Sequence, residues 1–210
     1  MSNRYDEKYG SHYYFWEYIK ENNIELTDKN FLEIGCTRQV DYRNERYWEI
    51  FDSSGFYYNK SKDYKFNFIT VDMDEVNTKM LKERLPDINV VTDTGENFTE
   101  HYDDKLDFLY LDAFDYEKDT HSNDRRDRYR EVMDKEITNE QCWKMHLDCC
   151  KNLISKLNEN ALVCFDDVFD NEVFDGKGRT AIPFLLDNGF EEVLYKENPG
   201  VLILRKKGDI

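Results

Sequence analysis

The chain has 210 residues, of which 40% are hydrophobic, enough to bury the core of one compact domain. Its formal net charge of −16 argues against generic binding to nucleic acid or to an anionic membrane, because both are polyanions. With a mean hydropathy of −0.86 and neither a bilayer-length apolar run nor a signal-peptide core, a cytoplasmic location is expected.

The first half of the chain alternates between helical and strand patterns. Aromatic residues at helical spacing predict the first helix, and short apolar runs predict the strands. The polar, tyrosine-rich stretch 53–64 is interpreted as a connection. Helices are predicted at about 11–22, near 43–51 and at 75–84, and strands at 31–35, 66–72 and 88–92.

The second half continues the alternation. The stretch 139–157 has apolar residues at positions i, i+3, i+4 and i+7, which predicts the longest helix of the chain. Asn198-Pro199-Gly200 separates two short strand patterns and indicates a hairpin turn. Two further strands, a short helix and the two hairpin strands are predicted at 106–112, 161–165, 180–188, 192–195 and 201–205.

Five strands that alternate with helices indicate an α/β protein whose parallel sheet is covered on both faces. With the hairpin, the expected fold is a Rossmann-like, doubly wound, mostly parallel seven-stranded sheet with a C-terminal antiparallel hairpin. One domain is expected over 1–210, with a helical extension at 1–29 and a lid or substrate segment at 113–138. Ligands of such sheets bind beyond the carboxyl ends of the strands, where the strand order reverses.

Acidic residues stand at or after the end of each predicted parallel strand. In chain order they are Glu33, Asp72, Glu96, Asp112 and the pair Asp166-Asp167. A carboxylate held at the edge of a buried sheet is partly desolvated, and it is useful there where it meets a cation or hydrogen-bond donors. The carboxyl edge of the sheet is therefore the expected position of a functional site.

This order of acids resembles the class I S-adenosylmethionine-dependent methyltransferases, from about residue 30 to the last strand. FLEIGC is similar to their first motif, ITVDMD to their second, and TGENF and YLDAFD to the segments around the cofactor. The resemblance implies S-adenosylmethionine as cofactor, with Glu33 on its amino group, Asp72 on the ribose hydroxyls and Glu96 beside the adenine amino group. The cofactor-binding residues that it implies are Glu33, Gly35, Asp72, Met73, Gly95, Glu96 and Asp112.

The loop after the first strand departs from that family. Its members usually carry two or three glycines there, whereas Gly35 is followed by CTRQVDYRNERYW, which contains none. The contacts of residues 36–40 are therefore left open. An NAD-binding Rossmann protein is less favoured, because it needs the fuller G-x-G-x-x-G loop to approach a pyrophosphate.

Asp112, Asp166 and Asp167 follow the fourth and fifth strands, which neighbour each other in this fold. Carboxylates gathered at one point repel one another unless they are neutralised, and oxygen ligands suit Mg²⁺. The arrangement resembles the metal sites of catechol O-methyltransferase-like and, more closely, macrocin O-methyltransferase-like enzymes. The later segment GKGRTAIPFLLDNGF also resembles the macrocin O-methyltransferase-like group. The alternative is that Asp166 caps the following turn while Asp167 faces solvent.

Methyl transfer to an alcohol needs a base that removes the hydroxyl proton. Asp115 stands three residues past Asp112, where the resemblance to the metal-dependent enzymes implies a catalytic base. The catechol enzymes carry lysine there, so a carboxylate favours sugar-like or aliphatic hydroxyls. His121 is the alternative base, because imidazoles titrate near neutrality.

The connection between the fourth strand and the longest helix is long and charged, and it contains four arginines within six residues. One interpretation is a lid whose arginines bind a carboxylate or phosphate of the substrate. The other is a solvated helix in which the arginines pair with neighbouring acids. The arginines are Arg125, Arg126, Arg128 and Arg130, and the acids are Asp124, Asp127 and Glu131.

The leading functional hypothesis is a Mg²⁺-dependent O-methyltransferase that acts on a small hydroxylated acceptor, such as a sugar or a glycosylated metabolite. A second hypothesis keeps the cofactor but gives the acids a cationic acceptor, as in aminopropyltransferases. A third is a non-catalytic binding protein with a decayed cofactor loop. The expected partner is a small molecule, with no nucleic acid and no membrane, and the oligomeric state stays open, a homodimer included.

Overall fold

A computed structural model describes residues 10–36, 53–116 and 123–208 of the chain. Seven helices lie within the described residues. The helices are α1 (Ser11–Glu21), α2 (Ser53–Tyr64), α3 (Glu75–Arg84), α4 (Gly95–His101), α5 (Asn123–Met133), α6 (Asn139–Leu153) and α7 (Ala181–Asp187). Three of them, α3, α4 and α7, follow a strand after a short connection. Side chains close the N-termini of three helices: Asp74 accepts from the Val76 amide, Thr94 from that of Asn97, and Thr138 from that of Gln141.

Seven strands form one sheet and two short strands pair separately. The strands are β1 (Asn30–Ile34), β2 (Asn67–Asp72), β3 (Val90–Thr92), β4 (Leu106–Leu111), β5 (Leu157–Phe165), β6 (Val168–Asp170), β7 (Asp175–Gly176), β8 (Phe190–Lys196) and β9 (Val201–Lys206). The order in the sheet is β3-β2-β1-β4-β5-β9-β8, with β6 and β7 apart. The first five strands are parallel and the last two antiparallel, which confirms the predicted seven-stranded fold.

The strand order reverses between β1 and β4, and this places the candidate ligand site. β1 pairs with β2 on one side and with β4 on the other. β4 is buried along its whole length, and β1 from Phe31 onward, as expected for central parallel strands. The carboxyl ends of these strands therefore meet at one edge.

Apolar side chains fill both faces of the sheet. One face is covered by α1, α2 and α3, and the buried aromatics of α1 and α2 meet Phe31 and Phe108 of the sheet. The other is covered by α6 and α7, which pack on Leu109, Val163 and Phe165. All five cysteines are buried. No helix among the described residues is long and apolar enough to span a membrane.

Residues 53–64 form helix α2, so their interpretation as a connection was wrong. The polar pattern of this helix did not indicate that two of its tyrosines, Tyr57 and Tyr58, are buried in the structure. The Tyr57 ring lies 4.4 Å from that of Phe31 in β1, measured between centroids. The helix is stabilised by contacts with the sheet rather than by its own periodicity. The helix predicted near 43–51 lies outside the described residues.

Other elements also differ from the prediction. Helix α4 and the short β6–β7 pair were not predicted, since each is short, and helix α5 corresponds to one of the two interpretations of the arginine-rich segment. The longest helix ends at Leu153, and β5 begins at Leu157 within the stretch predicted as helical. Elements of a few residues are fixed by what they pack against more than by local pattern.

Gly35 sits at the close approach between β1 and β4. Its φ angle is +97°, and a Cβ atom there would lie 2.6 Å from the Ala113 amide nitrogen. The Gly35 amide donates to the Val71 carbonyl over 2.8 Å, and the Asp112 amide donates to the Ile34 carbonyl over 3.0 Å. The two strand ends are therefore joined through backbone atoms with no room for a side chain.

Gly35→Ala should be much more destabilising than Gly189→Ala. Gly189 also has a positive φ, +86°, but a Cβ there would meet no atom within 4 Å. The control change should cost about 1–2 kcal/mol of unfolding free energy from backbone strain, and Gly35→Ala about 3 kcal/mol or more because a backbone clash is added. Urea denaturation measures both. Equal losses would contradict the close approach at Gly35.

Candidate functional site

Asp72 lies at the carboxyl end of β2 and is fixed by several donors. Its Oδ2 accepts from the Cys36 amide over 3.1 Å, and its Oδ1 accepts from the Asp74 amide over 2.8 Å and from Asn77 Nδ2 over 3.3 Å. The first of these bonds links β2 to the turn that follows Gly35. The predicted neighbour Met73 is partly buried against the core. These bonds hold the Asp72 carboxylate at the edge of the sheet where ligands of this sheet type bind.

Glu96 stands in the first turn of α4, directly after Gly95. Its Oε2 atom is buried and has no hydrogen-bond partner among the described residues. Lys135 Nζ lies 3.9 Å from the other oxygen, Oε1. A buried carboxylate oxygen without a donor is costly, so this atom is suited to receive a donor from a bound molecule, such as an amino group.

Glu33 is fully buried within β1, and its carboxylate is engaged by protein hydroxyls. Ser53 Oγ donates to Oε1 over 2.5 Å, while Ser54 Oγ and Thr70 Oγ1 each donate to Oε2 over 2.6 Å. Burial raises the pKa of Glu33 to about 8, against the effect of these hydrogen bonds. The predicted contact with the cofactor's amino group stays a prediction. In this arrangement Glu33 connects β1 to the start of α2.

Asp112, Asp166 and Asp167 come together at the ends of β4 and β5. One oxygen from each lies within 4.8 Å of the others. Ser11 Oγ, at the start of α1, donates to Asp166 Oδ1, so the N-terminal helix reaches this cluster. Burial and the neighbouring Asp112 and Asp167 raise the pKa of Asp166 well above its usual value, although Lys177 acts in the opposite direction. We call these three residues the carboxylate cluster.

Lys177 neutralises part of the carboxylate cluster, and sequence reasoning missed it. Its Nζ atom lies 2.5 Å from Asp112 Oδ1, 3.1 Å from Asp167 Oδ2 and 3.8 Å from Asp166 Oδ2. Burial lowers the pKa of Lys177, but the three carboxylates outweigh it and raise that pKa well above its usual value. The available signal was a lysine between two glycines in the segment after the Asp166-Asp167 pair.

The carboxylate cluster has the donor chemistry of a Mg²⁺ site, but its geometry fits Lys177 instead. Mg²⁺ requires oxygen ligands at about 2.0–2.1 Å in octahedral geometry. The Lys177 ammonium already stands between two of the predicted ligands, Asp112 and Asp167. A metal ion bound by all three carboxylates would have to displace this buried group.

The predicted base Asp115 is buried, 4% exposed, in the loop after β4. Its amide donates to the Tyr129 hydroxyl of α5 over 2.9 Å, and the Phe114 and Tyr129 rings meet edge to face. Helix α5 thus holds the backbone beside the candidate base. The alternative base, His121, lies outside the described residues.

The arginine-rich segment forms helix α5, in which Arg128 and Arg130 pair with acids of the protein. Arg128 crosses to Asp74, two residues past Asp72, with Nε 2.7 Å from Oδ2 and Nη2 2.5 Å from Oδ1. Although partial burial acts in the opposite direction, the bonds from Arg128 and from the Val76 amide lower the pKa of Asp74. Arg130 instead pairs within the segment, with Asp127 and Glu136. The helix is docked beside the end of β2, and a lid role stays a prediction.

Three partly exposed aromatic rings stand near the carboxylate cluster. The Tyr116 ring centroid lies 6.5 Å from that of Trp143 and 6.2 Å from that of Phe169. The Tyr116 hydroxyl donates to Asp175 over 2.8 Å, which ties this group to β7. Rings beside a few polar groups are typical of small-molecule sites.

No protein-family model matches the sequence. No curated protein matches it either. The structure, however, is similar to solved methyltransferases. SAH-bound PaMTH1 from Podospora anserina has a TM-score of 0.55 at 15% identity, with 94% of this chain and 78% of that chain covered. NodS, an N-methyltransferase from Bradyrhizobium japonicum, has a TM-score of 0.51 at 13% identity, with 94% of each chain covered.

An rRNA methylase from Streptococcus thermophilus is similar as well, with a TM-score of 0.52 at 11% identity over 94% of this chain and 95% of that one. The chain has the methyltransferase fold. At these identities the similarity concerns the fold alone. The methyltransferase fold nevertheless agrees with the strand order, and with acids that stand where the order reverses.

Glu33 predicts a specific pH dependence of stability. Its pKa rises from 4.5 to about 8 on folding, so between these pH values the folded chain keeps a proton that the unfolded chain has lost. The unfolding free energy should therefore fall as pH rises through this window, by up to about 1.4 kcal/mol per pH unit. Glu33→Gln should remove this slope, as measured by urea denaturation between pH 5 and 8.

The exposed residue Glu100 provides the control for this measurement. Glu100→Gln should leave the pH dependence as in the parent chain. If the curves of Glu33→Gln and of the parent chain run parallel, Glu33 does not titrate in the way that its burial indicates.

Proposed function

We propose that the protein transfers a methyl group from S-adenosylmethionine to a hydroxyl group of a small molecule. The observation that carries this proposal is the set of acids around the β1–β4 switch point. Asp72 is fixed at the end of β2, and Glu96 keeps a buried oxygen without a partner among the described residues. Both are placed at the edge where ligands of this sheet type bind.

The residues present fit S-adenosylmethionine. Asp72 would accept hydrogen bonds from the ribose hydroxyls, and the Glu96 oxygen would accept from the adenine amino group. The backbone turn at Gly35 would lie beside the methionine part. When bound, the cofactor supplies an electrophilic methyl group on a sulfonium. The protein therefore has to bind the acceptor, align its oxygen and take its proton.

Asp115 is the proposed base, and His121 stays the alternative to it. The acceptor hydroxyl would lose its proton to the Asp115 carboxylate, which would pass it to water. The bound cofactor would supply the methyl group, so that the products would be a methyl ether and S-adenosylhomocysteine. Tyr116, Trp143 and Phe169 form an aromatic group that suits the face of a sugar or another ring.

A small acceptor is favoured over RNA by charge. Although one of the similar structures is an rRNA methylase, this chain carries a net charge of −16, which repels a polyphosphate. An amine acceptor, as in the aminopropyltransferase hypothesis or as the N-methyltransferase NodS suggests, is the second candidate, because the carboxylate cluster would attract it. Offering matched hydroxyl and amine compounds with isotope-labelled S-adenosylmethionine decides between them.

The sequence-based hypothesis included Mg²⁺, but the residues present do not fit it. Its predicted ligands Asp112, Asp166 and Asp167 are near one another, but Lys177 stands among them. In the proposed reaction the cluster acts on the acceptor side as a fixed charged group. The acceptor's position is set by protein side chains.

Calorimetry with S-adenosylmethionine and S-adenosylhomocysteine tests the cofactor half of the proposal. The parent chain should bind both, and Asp72→Asn should weaken binding by about 10- to 100-fold, the value of a hydrogen bond to a charged group. Asp103→Asn is the control, because that side chain is 98% exposed and makes a long ion pair with Lys156, over 3.7 Å. Failure of the parent chain to bind either compound would refute the proposal and favour a non-catalytic protein.

Asp115→Asn tests the base. If Asp115 takes the proton, kcat should fall by about 10²- to 10⁴-fold, while the dissociation constant of S-adenosylmethionine stays unchanged. Asp134→Asn, at an exposed residue after α5, should leave both quantities unchanged. Undiminished turnover of Asp115→Asn would transfer the role to His121 or to another group.

A further inference from the structure

The backbone around Lys177 is built to hold this side chain against the carboxylate cluster. Gly176 has a φ of +114°, and a Cβ atom there would lie 1.8 Å from the Asp167 carbonyl oxygen. The Lys177 amide donates to that same carbonyl over 3.1 Å. Trp143 Nε1 of helix α6 donates to the Gly176 carbonyl over 2.9 Å. The β7 segment is therefore fixed from two sides before Lys177 extends from it.

The Lys177 side chain is buried along its length and ends among negative charges. It is 1% exposed, whereas the three carboxylates remain partly exposed. Its Nζ atom also lies 3.4 Å from the Asp112 carbonyl oxygen. Burying an ammonium is costly unless it is paired, and here acidic and carbonyl oxygens surround it. Lys177 therefore enters the site from the protein side, while the carboxylates face outward.

We propose that the Lys177 ammonium is the built-in cation of the carboxylate cluster, in the place that a divalent metal ion would take. The two cations exclude each other, because both need the oxygens of Asp112 and Asp167. A fixed ammonium holds Asp112 and Asp167 in position without a dissociable ion. It leaves the cluster with a net negative charge, since three carboxylates share one lysine.

This inference deepens the proposed function, and it makes methyl transfer independent of divalent metal. Lys177 is a positioning residue in this account, because it acts through the carboxylates. The acceptor would meet the outward carboxylate oxygens rather than a metal ion.

Binding of Mn²⁺, followed by electron paramagnetic resonance, tests the inference without cofactor or acceptor. The parent chain should show no saturable binding up to about 1 mM Mn²⁺. Lys177→Met keeps the length of the side chain without its charge. It should bind one Mn²⁺ per chain, with a dissociation constant at least tenfold below that limit of about 1 mM. Lys144→Met is the matched control, because Lys144 is exposed and pairs with Asp148. It should behave as the parent chain.

Two results would overturn the inference. One is saturable Mn²⁺ binding by the parent chain, and the other is a folded Lys177→Met chain that still binds none. Should Lys177→Met fail to fold, the parent chain and Lys177→Arg decide the matter: neither should bind Mn²⁺, and binding by either contradicts the inference. Metal binding by the parent chain would leave S-adenosylmethionine binding intact, whereas a failed proposed function would abolish cofactor binding in calorimetry.

Discussion

The backbone contact between β1 and β4 is the constraint on which the rest of the site depends. Because Gly35 has no side chain, its turn approaches Ala113 closely, and the amide of Asp112 bonds to the carbonyl of Ile34. This contact closes the switch point of the sheet, at the edge where the carboxyl ends of the parallel strands meet. Asp72 is then linked to the same turn through the Cys36 amide.

Neutralisation of the acids at the carboxyl edge of the sheet is the second constraint, and it is achieved differently in the two halves of that edge. On the β2 side, Asp72 and Asp74 receive backbone donors, and Arg128 brings helix α5 against them. On the β5 side, the carboxylate cluster receives a buried ammonium from the β7 segment. Both arrangements place a cation next to acids, but the Arg128 guanidinium is partly exposed, whereas the Lys177 ammonium is buried.

The part of the candidate site that could be predicted from the sequence is the set of acids at the strand ends. Asp72, Glu96 and Asp112 each follow a strand directly or after a short turn, so their meeting at one edge follows from parallel pairing. Glu33 was also recognised, but its hydroxyl partners were not, because Ser53 and Ser54 belong to a helix whose pattern is polar. Side chains that approach from elements without a clear pattern cannot be placed by sequence periodicity.

By itself, the sequence determined the α/β alternation, the parallel sheet with its terminal hairpin and the acidic strand ends, because these depend on local apolar periodicity and on chain order. The tertiary structure decided the rest. It made 53–64 a helix by burying Tyr57 against β1, and it brought Lys177 to Asp112 across 65 residues of chain. A lysine flanked by glycines belongs to no sequence pattern that predicts which acid it pairs with. Its role is set by the burial and the charges that folding places around it.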